Sequence, residues 1–150
     1  MLLEKINDFH CVFVRIHKDF ISKQDSNPKA SAFLNTPKDG DNLSCDWCKY
    51  CSSESSRQLI GKQKRADGTF KNPDVFFIWK LGVYSLRNDI VPQQEVVYQP
   101  IDFNPPNENI PNNLAHSIII GQKPNNAEFR VALLKIGKWA IPPPSQQNNK

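Results

Sequence analysis

At 150 residues, 39% hydrophobic and 23% charged, the chain suits one domain of ordinary size with a buried core, and its 12 prolines predict long loops. Its longest apolar runs, such as Val75, Phe76, Phe77, Ile78 and Trp79, fall far below the ~20 residues a membrane-spanning helix needs. Nineteen basic against 15 acidic residues give a charge of +4, an excess that permits contact with phosphates without demanding it.

Leu2, Leu3, Ile6 and Phe9 recur at helical spacing and predict a short helix over residues 1–9, ended by His10. The same stretch lacks a basic region followed by an apolar segment, so a cytoplasmic protein with reduced cysteines is expected. Residues 11–16 alternate as a strand, with Val12, Val14 and Ile16 on one face and Cys11, Phe13 and Arg15 on the other. A buried arginine needs a carboxylate, a carbonyl or an anionic ligand, which makes Arg15 the first site candidate; pairing with Asp46 or another acid is the structural alternative. Residues 18–42 form a polar connection, broken by a brief apolar patch at 30–34 read as a short strand and by the turn Pro37-Lys38-Asp39-Gly40.

Cys45, Cys48 and Cys51 then follow at i, i+3 and i+6, the bite of a zinc site. A fourth ligand would have to come from Cys11, His10, His17 or His116. An iron–sulfur reading lacks its continuation, since Ser55 and Ser56 stand where x3-Cys-Pro would be. In a strand, moreover, Cys48 would face away from the other two, and partly buried free thiols are the alternative.

Ser52 and Ser53 can cap a helix running through Arg57, Leu59 and Ile60 to Gly61, with Glu54 in its first turn. Lys62, Lys64, Arg65 and Lys71 form the one basic cluster, interrupted by the turn Asp67-Gly68; it is read as a nucleic-acid phosphate contact or as a solvated loop. Residues 75–79 predict a central strand and 94–98 another, whereas Gly82 leaves 81–87 open between strand and helix. Prolines make 102–113 a loop, and Asn113-Leu114-Ala115-His116 leads into a strand at 117–120. His116 at that junction is a candidate acid, base or ligand, or a structural histidine. Asn125 with Glu128 predicts a capped helix whose stripe is Phe129, Leu133, Ile136 and Ala140, with Trp139 closing it on the body. Three prolines stop it, so residues 1–141 are expected to form the single domain and 142–150 a disordered tail.

No P-loop, dinucleotide fingerprint, His-Glu-x-x-His or nucleophile elbow is present. The chain resembles a family of small uncharacterised bacterial proteins through Arg15-Ile16, Ser31-Ala32-Phe33, Leu43-Ser44-Cys45-Asp46, Asn113-Leu114-Ala115-His116 and Trp139. The resemblance implies a shared fold with a polar locus at Arg15, Ser44, Asp46 and His116. It names no function, and its pattern does not include the cysteines.

The expected fold is α+β, with four to six strands in a small mixed or antiparallel sheet, two or three helices and long loops. Three functional classes follow. The first is an accessory subunit of an intracellular bacterial complex that binds a protein or nucleic-acid partner. The second is a small enzyme acting on a nucleotide or nucleic acid, with His116 as acid or base, Arg15 as anion clamp, and Ser44 and Asp46 positioning the substrate. An ADP-ribosyltransferase-like variant of it would add Glu95 around NAD. The third is a zinc-stabilised module. Arg15, Ser44, Asp46 and His116 are also expected to meet at one end of the sheet, since each sits where a strand begins or ends beside a polar loop.

Overall fold

The computed structural model describes residues 4–37 and 41–144. Six antiparallel strands make one sheet: β1 (Cys11–His17), β2 (Leu43–Trp47), β3 (Phe76–Gly82), β4 (Glu95–Tyr98), β5 (His116–Ile120) and β6 (Gly137–Ile141), in the spatial order β4-β5-β2-β1-β3-β6. Three α-helices join them, α1 (Ser53–Leu59), α2 (Val83–Asn88) and α3 (Ala127–Lys135). The α+β expectation therefore holds. Among the described residues no helix is long and apolar enough to cross a membrane.

Strand alternation divides the sheet into two faces of different character. Val12, Val14 and Ile16 of β1, Cys45 and Trp47 of β2, and Trp79 and Leu81 of β3 point to one side and are nearly inaccessible. They join Phe33, Phe129 and Leu133 in the main core. At roughly 1.5–3 kcal/mol per fully buried large side chain, this face supplies most of the driving force. The other face carries Arg15, Asp46 and His116, and α1 lies against β1 and β3. Polar side chains are thereby gathered on one surface without interrupting the core.

Several expectations need correction. Of the helix expected over 1–9, residues 1–3 lie outside the described residues, and residues 4–9 are not helical: Phe9 is 93% exposed, and its N–H donates to Asn7 Oδ1 at 2.8 Å. The carbonyl of Ile6, which a helix would need, accepts from Arg87 Nη1 at 2.8 Å instead. Asp8 O and His10 O accept from Tyr84 N and Val83 N, so this segment satisfies the open amides of the first turn of α2. The patch near residue 32 is a 3-10 helix, Ala30–Phe33, and not a strand. The turn expected at 37–40 lies largely outside the described residues, as do residues 145–150 of the expected tail, but Pro143 within that tail is buried.

At the C-terminal helix the cap is Asn126, whose side chain accepts from Phe129 N at 2.8 Å, and not Asn125. That helix ends at Lys135, and Trp139 and Ala140 belong to β6, paired with β3. Gly137 allows this docking, since a Cβ there would sit 2.3 Å from Trp79 Nε1 and 2.8 Å from Lys80 O. Trp139 then packs edge-on against Trp79, and its Nε1 donates to Ser26 O at 3.1 Å. The helical periodicity of 129–140 was a strand in its last third because cross-strand packing outweighed local preference.

Lys123 gives the fold a pH signature. Its ammonium is turned inward, donating to Ile119 O at 2.9 Å and Gly121 O at 3.0 Å, and burial pulls its pKa down to about 8. Between pH 8 and its ordinary value of 10.5 the unfolded chain holds more of this proton than the folded one, so stability rises with pH through that window. Cys11 and Cys51, pushed up to about 12 chiefly by burial, act in the opposite sense from pH 9 upward, because there the folded chain holds their protons longer. Comparison with Lys123→Met isolates the lysine: the wild type is expected to gain stability relative to the variant between pH 7.5 and pH 10 in chemical denaturation. Parallel pH profiles for the two proteins would refute this.

Candidate functional site

Register builds the site. Phe13 stands opposite Asp46 and Asp46 opposite His116, so β1, β2 and β5 bring three residues into one row on the polar face. Arg15 and Ser44, two positions along from that row, share the face. The ladder between β1 and β2 runs only over Val12↔Trp47 and Phe13↔Asp46. Where that pairing stops, a cavity of about 580 Å³ opens, with Arg15, Ser44, Asp46 and His116 all in its lining. Its walls are the end of α1, the hairpin that carries Lys64 and Lys71, and the Asn/Pro-rich loop.

Asp46 is the hub. Buried to 3% exposure, it accepts from Arg15 Nη2 at 3.0 Å and from Ser56 Oγ on Oδ2, and from Asn113 Nδ2 at 2.8 Å on Oδ1. Three separate segments, β1, α1 and the loop before β5, are thus fastened to one carboxylate. Ser56 reaches it because Ser52 starts α1 with a reciprocal cap to Ser55, which turns the next residue toward the sheet. Asn113 is fixed in turn by two backbone bonds with Ile101, at 3.0 and 2.8 Å. With both oxygens engaged, Asp46 is a positioning group. It holds Arg15, which keeps 20% of its side-chain surface exposed at the cavity.

Ser44 and His116 form the second element. Ser44 Oγ lies 3.1 Å from His116 Nε2, while His116 Nδ1 lies 2.7 Å from the carbonyl oxygen of Gln99. A carbonyl can only accept, so Nδ1 carries the proton, and in the neutral ring Nε2 is left as the acceptor for the Ser44 hydroxyl. This is the connectivity of a hydroxyl, a base that draws on its proton, and a third group that orients the base. Here the orienting group is a backbone carbonyl.

The other candidates divide. Lys64 and Lys71 line the cavity, whereas Lys62 and Arg65 are exposed outside it, and Arg65 Nη1 is committed to Phe70 O at 2.6 Å. Glu95 is bound to Arg87 and lies outside this cavity, so the arrangement expected of an ADP-ribosyltransferase-like site does not form. Nor do the cysteines form a ligand set: Cys45 is buried in the core, Cys48 Sγ accepts from Cys11 N at 3.2 Å, and Cys51 donates to Trp47 O. Among the described residues, no three of His, Cys, Asp or Glu are grouped as metal ligands would be. The zinc site expected from Cys45, Cys48 and Cys51 is not assembled, because Cys45 is buried on β2 while Cys48 and Cys51 lie in and just after the turn that follows it. Of the offered fourth ligands, His10 accepts from Trp47 Nε1 at 2.9 Å and His17 from Asp19 N at 3.1 Å. All four thiols are free, and burial raises the pKa of Cys11, Cys45 and Cys51, which disfavours the thiolate that a metal would take.

Ser56, Gln99 and Asn113 were not singled out from the sequence as site residues. Ser56 had a signal, its i, i+4 spacing to the apolar Ile60, which puts both on the inward face of the helix. Gln99 acts through its backbone and leaves no trace in side-chain chemistry. No protein-family profile, curated protein or solved structure matches the chain.

Proposed function

We propose that the chain is a small enzyme acting on a phosphoester of the nucleotide or nucleic-acid class. Ser44 is its activated hydroxyl, His116 its acid and base, and Arg15 its anion clamp. The observation that carries the reading is the Ser44 Oγ, His116 Nε2, Gln99 O chain, at 3.1 and 2.7 Å, inside a cavity that also holds an arginine. In the first step Ser44 Oγ attacks phosphorus as His116 Nε2 takes its proton; a new O–P bond forms and the bond to the leaving alkoxide breaks, the alkoxide receiving the proton from His116. Water then attacks the phosphoserine, giving its proton to His116, and the Ser44 oxygen leaves and regains a proton from the ring. Arg15, with Lys64 at the wall, faces the charge on the non-bridging oxygens. The reading takes the protein as cytoplasmic.

A fluorophosphonate tests the hydroxyl directly, since attack by Ser44 expels fluoride and leaves a stable adduct on that residue. Stoichiometric labelling at Ser44, located by peptide mass spectrometry, is the expected result. An unlabelled Ser44 under conditions that label a known serine hydrolase would sink the proposal.

A second reading, the accessory subunit with a protein partner, is supported by Phe9 and Val91, exposed at 93% and 86%. Co-purification with the products of neighbouring genes, abolished by Phe9→Ser, is its expected outcome; absence of any co-eluting product counts against it.

A further inference from the structure

The cavity has an apolar rim that hydroxyl activation does not need. Phe103 and Ile110 line it and yet remain 48% and 36% exposed. Both are held in place by their loop: Phe103 N donates to Asn112 Oδ1 at 2.9 Å while Asn112 Nδ2 donates to Phe103 O at 3.1 Å, and Ile110 N donates to Asn107 Oδ1 at 3.0 Å. Lys64 N donates to Asn109 O at 3.0 Å, which fastens this rim to the hairpin that supplies a cationic wall. Gln63, Gln99 and Asn109, residues with amide side chains, stand in the same lining. A ligand that satisfies all of this has an anionic group, a flat apolar body, and polar edges on that body.

Shape and charge limit its length. At about 580 Å³ the cavity has the size of a site for one small molecule. A polymer track needs cations that continue along the strand, but Arg65 is committed to its own hairpin and Lys62 lies outside the lining.

Resting on the phosphoester reading of the site, we propose that its substrate is a single nucleotide unit, its phosphate between Arg15 and Lys64 beside Ser44 and its base against Phe103 and Ile110. The polar edges of the base meet the amides of the wall. A fatty chain would leave those amides unpaired, and a bare phosphate would leave the apolar rim in water.

The test is calorimetric titration of the Ser44→Ala protein, which cannot turn ligand over, with each of the four ribonucleoside 5′-monophosphates, with inorganic phosphate and with a single-stranded dodecanucleotide. At least one monophosphate is expected to bind about tenfold or more tightly than inorganic phosphate, the scale of one base stacked on an aromatic ring. Phe103→Ala, a surface change, is expected to remove that advantage and leave phosphate binding unaltered, whereas Lys64→Ala weakens both. Equal binding of phosphate and all four monophosphates, or no binding by any of them, overturns the proposal. So does a dodecanucleotide that binds far more tightly than the monophosphates with a steep salt dependence. Ser44 labelling without a base preference would leave the hydroxyl chemistry standing and remove this substrate; base-dependent binding without labelling would do the reverse.

Discussion

Asp46→Ala is expected to lower the unfolding free energy by about 3–5 kcal/mol, the range for removing one partner of a buried ion pair. In a domain of this size that is a fall in melting temperature of roughly 10 °C. The carboxylate accepts from Arg15, Ser56 and Asn113 and is itself 3% exposed, so alanine leaves a guanidinium, a hydroxyl and an amide without their acceptor. Because those donors come from β1, α1 and the loop before β5, the loss is spread over three segments. Asp46→Asn retains the shape and one acceptor, and should fall between the two proteins. The carboxylate also sets where Arg15 stands, so fluorophosphonate labelling of Ser44 should slow in the alanine variant even at temperatures where it is folded. Melting within 2 °C of the wild type would show that Asp46 does not hold these segments together.

The contrast between what the sequence disclosed and what it concealed follows from the range of the interactions involved. Strand β1 is legible because Val12, Val14 and Ile16 carry their burial as a local alternation, and β3 because Phe77, Ile78 and Trp79 form a short unbroken run of branched and aromatic residues. Arg15 and Asp46 are legible as a pair by charge, since a half-buried guanidinium must have an acceptor. The clustering of four dispersed residues was also legible from strand ends beside polar loops, although the register places it on the polar face of the interior strands β1, β2 and β5. In contrast, Trp139 looked like the end of a helical stripe. Only the close approach of Gly137 to Trp79 makes it a strand residue, and that approach depends on a partner 58 positions away in the chain. Phe9 misled for the same reason, since the carbonyls around it are claimed by Arg87 and by the amides of α2. Local spacing cannot register a competitor that arrives from elsewhere in the fold. The cysteine run was a motif in spacing alone: one thiol belongs to the core and the others to the turn after it, so equal intervals in sequence become unequal directions in space.

His116→Ala is expected to slow fluorophosphonate labelling of Ser44 by about 10²- to 10⁴-fold, the usual contribution of a positioned acid or base. It should do so with only a modest loss of stability, about 1–3 kcal/mol, since the ring gives up one hydrogen bond to Gln99 O and one with Ser44. That disproportion separates a chemical role from a structural one: a histidine that merely closed the gap between β5 and the loop would cost stability and leave the hydroxyl no less reactive. His116→Gln sharpens the comparison, because its amide can still reach the neighbouring polar groups and yet cannot take a proton from Ser44. It should be as stable as the wild type to within about 1 kcal/mol and as slow as alanine. Additivity gives a further check. Asp46→Ala and His116→Ala act on one hydroxyl by different routes, one through the placement of Arg15 and the other through the proton. Their combination should therefore be slower than either, whereas His116→Ala combined with His116-independent changes at the rim, such as Phe103→Ala, should be no slower toward a reagent that carries no base. Labelling that proceeds at the wild-type rate in His116→Gln would remove the histidine from the chemistry and leave Ser44 and His116 as a structural hydrogen bond in the floor of an anion site.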